Sequence, residues 1–364
     1  MIRDLKSLRI FENTFMSKLP YVFIVPIDDK FNINAKGYPF NGDTIKGTGY
    51  HDQDVLFLKW LNNSYSRTVG DPKYTDFFFI PACIKIGWPD EDWWLELDKE
   101  ILRFAENETN SFILDRSFMS ATFALSTAGT FNNKNRNIHD VRKLRSDNDR
   151  SENSREIFVP YNMNFSYYDG LRQKSQIART NFLFAPCRES AGMLEFHRWW
   201  RTKAFKVLQN APNSIVNMKM SENEFESAML SSTFCFSIPG DISSVQKMWR
   251  YIFSGCIPVV FVSFKGQLPF NSFIDWNSFS VVLMKDVIND PKNLLRVINH
   301  LDKLKNNTQE VEKMRRNMAD IAPLFNWEKK NWPSVYHLTL LELKRTDSCP
   351  KHNLLNTTRV PYIC

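Results

Sequence analysis

Apolar residues along the chain fall into short dense blocks separated by stretches with helical spacing. YVFIVP (21–26) and TDFFFIPA (75–82) are nearly continuous apolar runs, the pattern of strands buried on both faces. Between them DQDVLFLKWLNNSY (52–65) places Val55, Leu58 and Leu61 on one helical face with Trp60 beside them. Pro89-Asp90-Glu91-Asp92 opens a predicted helix to about Phe104, its acids in the first turn where the helix dipole favours them. Residues 132–156 are polar and charged and read as an exposed loop, or a loop close to a ligand cleft; FVPY (158–161) resumes a strand, and 167–179 reads as a connection between domains. The second half alternates more regularly. NFLFAP (181–186), TFCFSI (233–238) and CIPVVFV (256–262) are predicted strands. Predicted helices run over 193–208, 221–231 (opened by a Ser221/Glu224 capping box), 244–254, from Asp290-Pro291 onward, and 308–320.

Strands alternating with helices predict an α/β chain with parallel sheets. A length of 364 residues favours two domains at roughly 100–200 residues each. The expected division is residues 1–172, then 173–330, then a C-terminal helix and tail at 331–364. Charged residues at 24% and hydrophobic residues at 43% set disordered and fibrous classes aside. No apolar run approaches the roughly 18 residues needed to cross a bilayer, so no membrane span is expected. As written, the chain reads as cytoplasmic, or as lumenal in the Golgi if an N-terminal anchor has been removed.

The formal charge of +7 suggests an anionic ligand or partner. Basic residues are spread evenly, however, and the densest cluster, Arg142–Arg150, is interrupted by Asp147 and Asp149, which argues against nucleic acid. Six cysteines without a CxxC pair make a zinc site improbable; most are expected as buried thiols, and Cys349 with Cys364 could close the tail. Sequons occur at Asn62, Asn107, Asn164, Asn306 and Asn356, but Asn is so frequent that chance alone yields about four, so they do not decide the compartment.

The segment STFCFSIPGDISSVQKMWRYIFSGCIPVVFVS (232–263) is a compact strand–loop–helix–strand unit. Pro239-Gly240 turns the chain, Ser243 or Ser244 can cap the helix, and Gly255 can end it in the left-handed conformation. A right-handed crossover makes the two strands parallel and puts the loop at the carboxyl edge of the sheet, where open α/β sheets bind ligands. Helix N-terminal N–H groups there favour an anion, and Lys247 and Arg250, three apart, could supply two positive charges. Capping serines and solvated basic residues explain the same pattern without any ligand.

Taken together, these residues resemble the exostosin-like glycosyltransferase family. The family carries a phrase like S-x-F-C-L-x-P-x-G-D, then R-x-x-[ED]-A, G-C-I-P-V, L-P-F, D-W and F-S-V. Here stand STFCFSIPGD, GCIPV, LPF (268–270), DW (275–276) and FSV (279–281). The first half is similar as well, with SYSRTVGDPKYTDFFFIPA (64–82) and VFIVP (22–26), so the resemblance spans roughly 20–330. It implies a GT-B fold, two Rossmann-like domains facing across a cleft, the first on the acceptor side and the second binding a nucleotide sugar. It further implies inverting transfer of a hexose or pentose from a UDP-sugar to a hydroxyl of an oligosaccharide or glycoprotein glycan. No metal cofactor is expected.

Carried onto this chain, Ser237, Pro239, Gly240, Ser243 and Ser244 would line the diphosphate pocket, Lys247 would pair with the phosphates in place of the family's arginine, and Arg188 is a further phosphate candidate. Arg250 stands where the family has Glu or Asp, which leaves a catalytically degenerate, glycan-binding or scaffold member as the alternative. The family's G-x-D-H phrase is absent, so the base is unassigned, with His51 and Asp52 as candidates. A metal-dependent rival would need an Asp-x-Asp motif. Asp90-Glu91-Asp92 and Asp147-Asn148-Asp149 offer one only in a helix start and a polar loop.

Overall fold

The computed structural model describes residues 1–26, 28, 53–81, 96, 111–114, 142–145, 156–160, 167, 170, 179–186, 195–238, 246–262 and 268–348. These fall into two parallel five-stranded sheets with helices, the mixed α/β character that the apolar blocks predict. The chain divides into two compact units: residues 1–13, 147–149 and 164–325 form one, and 14–146, 150–163 and 326–364 the other.

The sheet of the second of these units runs β1 (Val22–Ile24), β2 (Phe77–Ile80), β3 (Ser111–Leu114), β4 (Arg142–Arg145), β5 (Glu156–Phe158), in chain order and all parallel. The strand at Arg142–Arg145 corrects the expectation of an exposed loop over 132–156. RKLR has one apolar residue and no alternation, so only pairing with β3 and β5 defines it. Helix α2 (Gln53–Asn63) follows the predicted face, burying Phe57, Leu58, Trp60 and Leu61. Chain order without reversal leaves no topological switch point among the described strands of this sheet.

The C-terminal helix of the chain packs in this same unit. Tyr336 stacks on Trp60 at 4.8 Å between ring centroids, and its hydroxyl donates to the Trp327 carbonyl. The Trp60 indole donates to the Lys330 carbonyl at 3.2 Å, and the Trp327 indole to the Pro160 carbonyl at 2.9 Å. Residues 326–348 are thus core to the unit whose sheet lies more than 160 residues earlier.

The other sheet has the order β7 (Ser214–Asn217), β6 (Asn181–Pro186), β8 (Ser232–Ser237), β9 (Ile257–Val262), β10 (Val281–Met284), again all parallel. By chain order this is 2-1-3-4-5, the flavodoxin-like arrangement, whose winding reverses between β6 and β8. Both strands are almost wholly buried around the apolar runs Phe182–Ala185 and Phe234–Phe236, as a sheet covered on both faces requires. Helices α3 (Glu195–Leu208), α4 (Glu222–Ser231), α5 (Gln246–Ser254), α6 (Pro291–Asn306) and α7 (Thr308–Ile321) belong to this unit. Their starts were readable. Glu224 and Ser221 form the predicted reciprocal capping box, and the Asp290 side chain accepts from the Lys292 N–H at 2.9 Å. The N-terminal helix α1 (Leu5–Phe15) packs here through Phe11 against Phe273, while Ile2 bridges to Ile274.

Candidate functional site

The site is built from one local unit, β8–α5–β9. β8 lies between β6 and β9 and ends at Ser237, buried at every position. α5 covers the sheet with Met248, Trp249, Ile252 and Phe253, each nearly inaccessible, and the Tyr251 ring lies against Phe184 and Phe225. Gly255 has φ 77°, the left-handed conformation expected of it. Its N–H donates to the Ile252 carbonyl and the Cys256 N–H to the Tyr251 carbonyl at 3.1 Å, the paired bonds of a Schellman stop. β9 begins at the next residue.

Cys235 and Cys256 are joined in a disulfide with a Cα–Cα distance of 5.8 Å, which corrects the expectation that these cysteines are thiols. The bond ties β8, two residues before its end, to the stop of α5, closing loop and helix into a covalent ring. Spacing along the chain gave no sign of it, because only the parallel pairing of β8 with β9 brings the two residues together.

Ser237 is the last residue of β8 and so lies at the carboxyl edge, beside the reversal between β6 and β8. It is fully buried, and its hydroxyl has no hydrogen-bond partner among the described residues. A buried hydroxyl left unpaired costs about 1–3 kcal/mol, so a native chain keeps one for a reason. Lys247 lies half-buried in the first turn of α5, a turn without acids. The positive end of the helix dipole disfavours a cation there and favours an anion, and an anionic ligand at that end is drawn by both.

Arg250 lies one turn on and faces α4. Its guanidinium is ion-paired with Glu222, stands 3.7 Å from a Glu226 carboxylate oxygen and lies 4.2 Å over the Phe225 ring. Two carboxylates and an aromatic face therefore engage the charge that the sequence offered to a phosphate. His51, Asp52, Arg188, Pro239, Gly240, Ser243 and Ser244 lie outside the described residues, as do both Asp-x-Asp candidates. In sequence, Arg188 stands two residues after the end of β6 and Pro239 two residues after the end of β8, the two strands that flank the reversal.

Two features escaped sequence reasoning. The Arg179 guanidinium, largely buried, donates to the carbonyls of Met229 at 3.0 Å, Ser232 at 2.5 Å and Ser254 at 2.6 Å. It thereby holds the C-terminal ends of α4 and α5 at the amino edge, where a cation complements both dipoles. Burial pulls its pKa down to about 9, which still leaves it charged at neutral pH. The L-P-F and D-W phrases prove to be packing. Phe270, Trp276 and Phe325 form an aromatic cluster with Trp249, and the Trp276 indole donates to the Pro269 carbonyl at 3.0 Å. A depression of about 570 Å³ at the α6–α7 corner, lined by Asn307, Glu310, Lys313 and Arg316, sits at the opposite edge of the sheet. Lys305, beside it in sequence, lies over Phe182 near the start of β6. That depression is the polar outer face of a capped helix and brings no reactive groups together.

Among the described residues no cluster of metal-binding side chains occurs, and no helix is long and apolar enough to cross a membrane. Comparison with known proteins points to a family of sugar-transferring enzymes. It is 24% identical over 218 residues to a protein of Arabidopsis thaliana named "Probable arabinosyltransferase ARAD1", an alignment covering 57% of this chain and 46% of that protein. The chain thus matches less than half of that relative's length. The Exostosin GT47 domain matches residues 16–298, through both sheets and the whole β8–α5–β9 unit, and the chain therefore belongs to this family of glycosyltransferases.

Proposed function

We propose that the protein is an inverting glycosyltransferase that moves a sugar from a UDP-sugar to a hydroxyl of a glycan acceptor, with the donor diphosphate at the carboxyl edge of β6 and β8. The observation that carries this reading is the Ser237 hydroxyl, buried without a partner at the topological switch point of a family sheet. Ser237, Lys247 and the backbone of the Pro239–Ser244 loop would hold the two phosphates, with Arg188 as a further positive group. In the transfer, the acceptor oxygen forms a bond to the anomeric carbon as the bond from that carbon to the diphosphate oxygen breaks. UDP leaves with the electron pair, its developing charge stabilised by Lys247 and the N-terminus of α5. The hydroxyl proton passes to a base, for which His51 and Asp52 are the candidates. Basic groups and a helix dipole do the work of a metal ion in this scheme. A donor sugar of the pentose class is favoured by the arabinosyltransferase relative, and a hexose remains compatible with the family.

A second reading, a glycan-binding member without turnover, is favoured by Arg250, which replaces the family's acid and is itself engaged by Glu222. Calorimetry with UDP followed by a panel of UDP-sugars separates the two. Binding with hydrolysis or transfer supports the enzyme, binding without turnover supports the second reading, and no nucleotide binding at all sinks the transferase and leaves the second reading standing. Lys247→Ala is expected to abolish turnover, and unchanged turnover would put the phosphates elsewhere.

A further inference from the structure

Sequons at about the chance frequency carry nothing by themselves, and neither does a pair of cysteines. The structure supplies two observations that join them. First, Cys235 and Cys256 form a fully buried disulfide, a bond that persists in oxidising compartments and is rare where thiols are kept reduced. Second, the two sequons within the described residues both lie on exposed helix ends. Asn62 is exposed in the last turn of α2, with Ser64 exposed just beyond it. Asn306 is the exposed last residue of α6, Asn307 caps α7 by accepting from the Glu310 N–H, and the exposed Thr308 opens α7.

Both positions are at the amino edge of their own sheet. The chain just after α2 hydrogen-bonds to the start of β1, through Val22 N–H to the Arg67 carbonyl and Val69 N–H to the Val22 carbonyl. The end of α6 reaches the start of β6, where Lys305 covers Phe182. A bulky group at Asn306 therefore stands at the edge opposite Ser237, and one at Asn62 at the edge opposite the carboxyl ends of β1 and β2.

From these observations we infer that the chain carries N-linked glycans at Asn62 and Asn306, added in the same oxidising compartment in which the buried disulfide forms. The co-reactant is a lipid-linked oligosaccharide diphosphate. The Asn Nδ2 bonds to the anomeric carbon, the bond from that carbon to the diphosphate breaks, the lipid diphosphate leaves with the electron pair, and the amide proton passes to the base of the transferring enzyme. The inference is independent of which sugar the protein itself transfers and of whether it turns over at all.

The test is peptide mapping of the full chain, purified from the cells that produce it with thiols blocked at lysis. The expected result is a Cys235–Cys256 linked peptide, together with conversion of Asn62 and Asn306 to Asp on treatment with peptide N-glycosidase. Asn62→Gln and Asn306→Gln should each remove one step of electrophoretic mobility and leave the melting curve in place. Ser64→Ala and Thr308→Ala should remove the same steps while keeping the asparagine. Recovery of Cys235 and Cys256 as blocked thiols overturns the compartment, and an unmodified asparagine at either position overturns that site.

Discussion

The Ser237 hydroxyl stands where it costs stability, and that makes its role separable from folding. Ser237→Ala removes an unpaired buried polar group, so the urea midpoint is expected to hold or rise, by up to about 1 kcal/mol in stability. UDP affinity is expected to fall by roughly tenfold, the equivalent of one lost hydrogen bond to a charged group. Unchanged affinity in calorimetry would show that the hydroxyl faces no ligand. His337 gives a pH signature of a different kind. It is buried among the rings of Trp60 and Trp332 and shares a 2.7 Å hydrogen bond with Ser334. Burial, helped by Lys329, depresses its pKa from 6.5 to about 4. The unfolded chain takes up this proton near pH 6.5 and the folded chain only near 4, so the contribution is complete above 6.5 and is lost as the pH falls through that window. The loss totals about 3 kcal/mol and stops near pH 4. Urea titrations across this range should show the slope, and His337→Gln should flatten it.

Among elements, the β8–α5–β9 unit is held from both ends. Arg179 satisfies three carbonyls at its amino edge, and Arg179→Met strands them while removing a cation from two helix ends. A loss of about 3 kcal/mol or more is expected in denaturant unfolding, whereas a loss below 1 would mean that water replaces the guanidinium. The disulfide spans 21 residues of sequence, a ring for which chain entropy alone is worth about 3 kcal/mol. The Cys235→Ser/Cys256→Ser pair should lower stability by about that amount at every pH, a result read from guanidinium midpoints.

At the scale of the molecule, chain order and spatial membership part company at both ends. Residues 1–13 belong with the sheet formed by residues 181–284, and 326–348 with the sheet formed by 22–158. The aromatic anchor of the latter exchange is Tyr336, fully buried on Trp60 and Phe57. Tyr336→Ala should cost about 3–5 kcal/mol, with the change in Trp60 fluorescence tracking the loss. Retention of a native melting curve would mean that the C-terminal helix is dispensable to that unit.

Local physics was readable where it acts over a few residues. Continuous apolar runs marked β1, β2, β6, β8 and β9, because a strand buried on both faces needs no polar position. The caps at Ser221 and Asp290 and the stop at Gly255 followed from residues that satisfy helix ends within one turn. The ordered family phrases carried the family itself, although several of them, L-P-F and D-W among them, turned out to encode an aromatic core. What tertiary structure alone decided are the relations between distant residues. A strand spelled RKLR exists because two neighbours pair with it. Arg250 meets Glu222 and Glu226 because α4 and α5 pack side by side, and Arg179 finds its carbonyls 50 to 75 residues away. Cys235 meets Cys256 because parallel pairing returns the chain to the same level of the sheet after a helix. The reversal beside Ser237, where the ligand is proposed to bind, depends likewise on β7 and β8 lying on opposite sides of β6, a relation between strands that no one segment specifies.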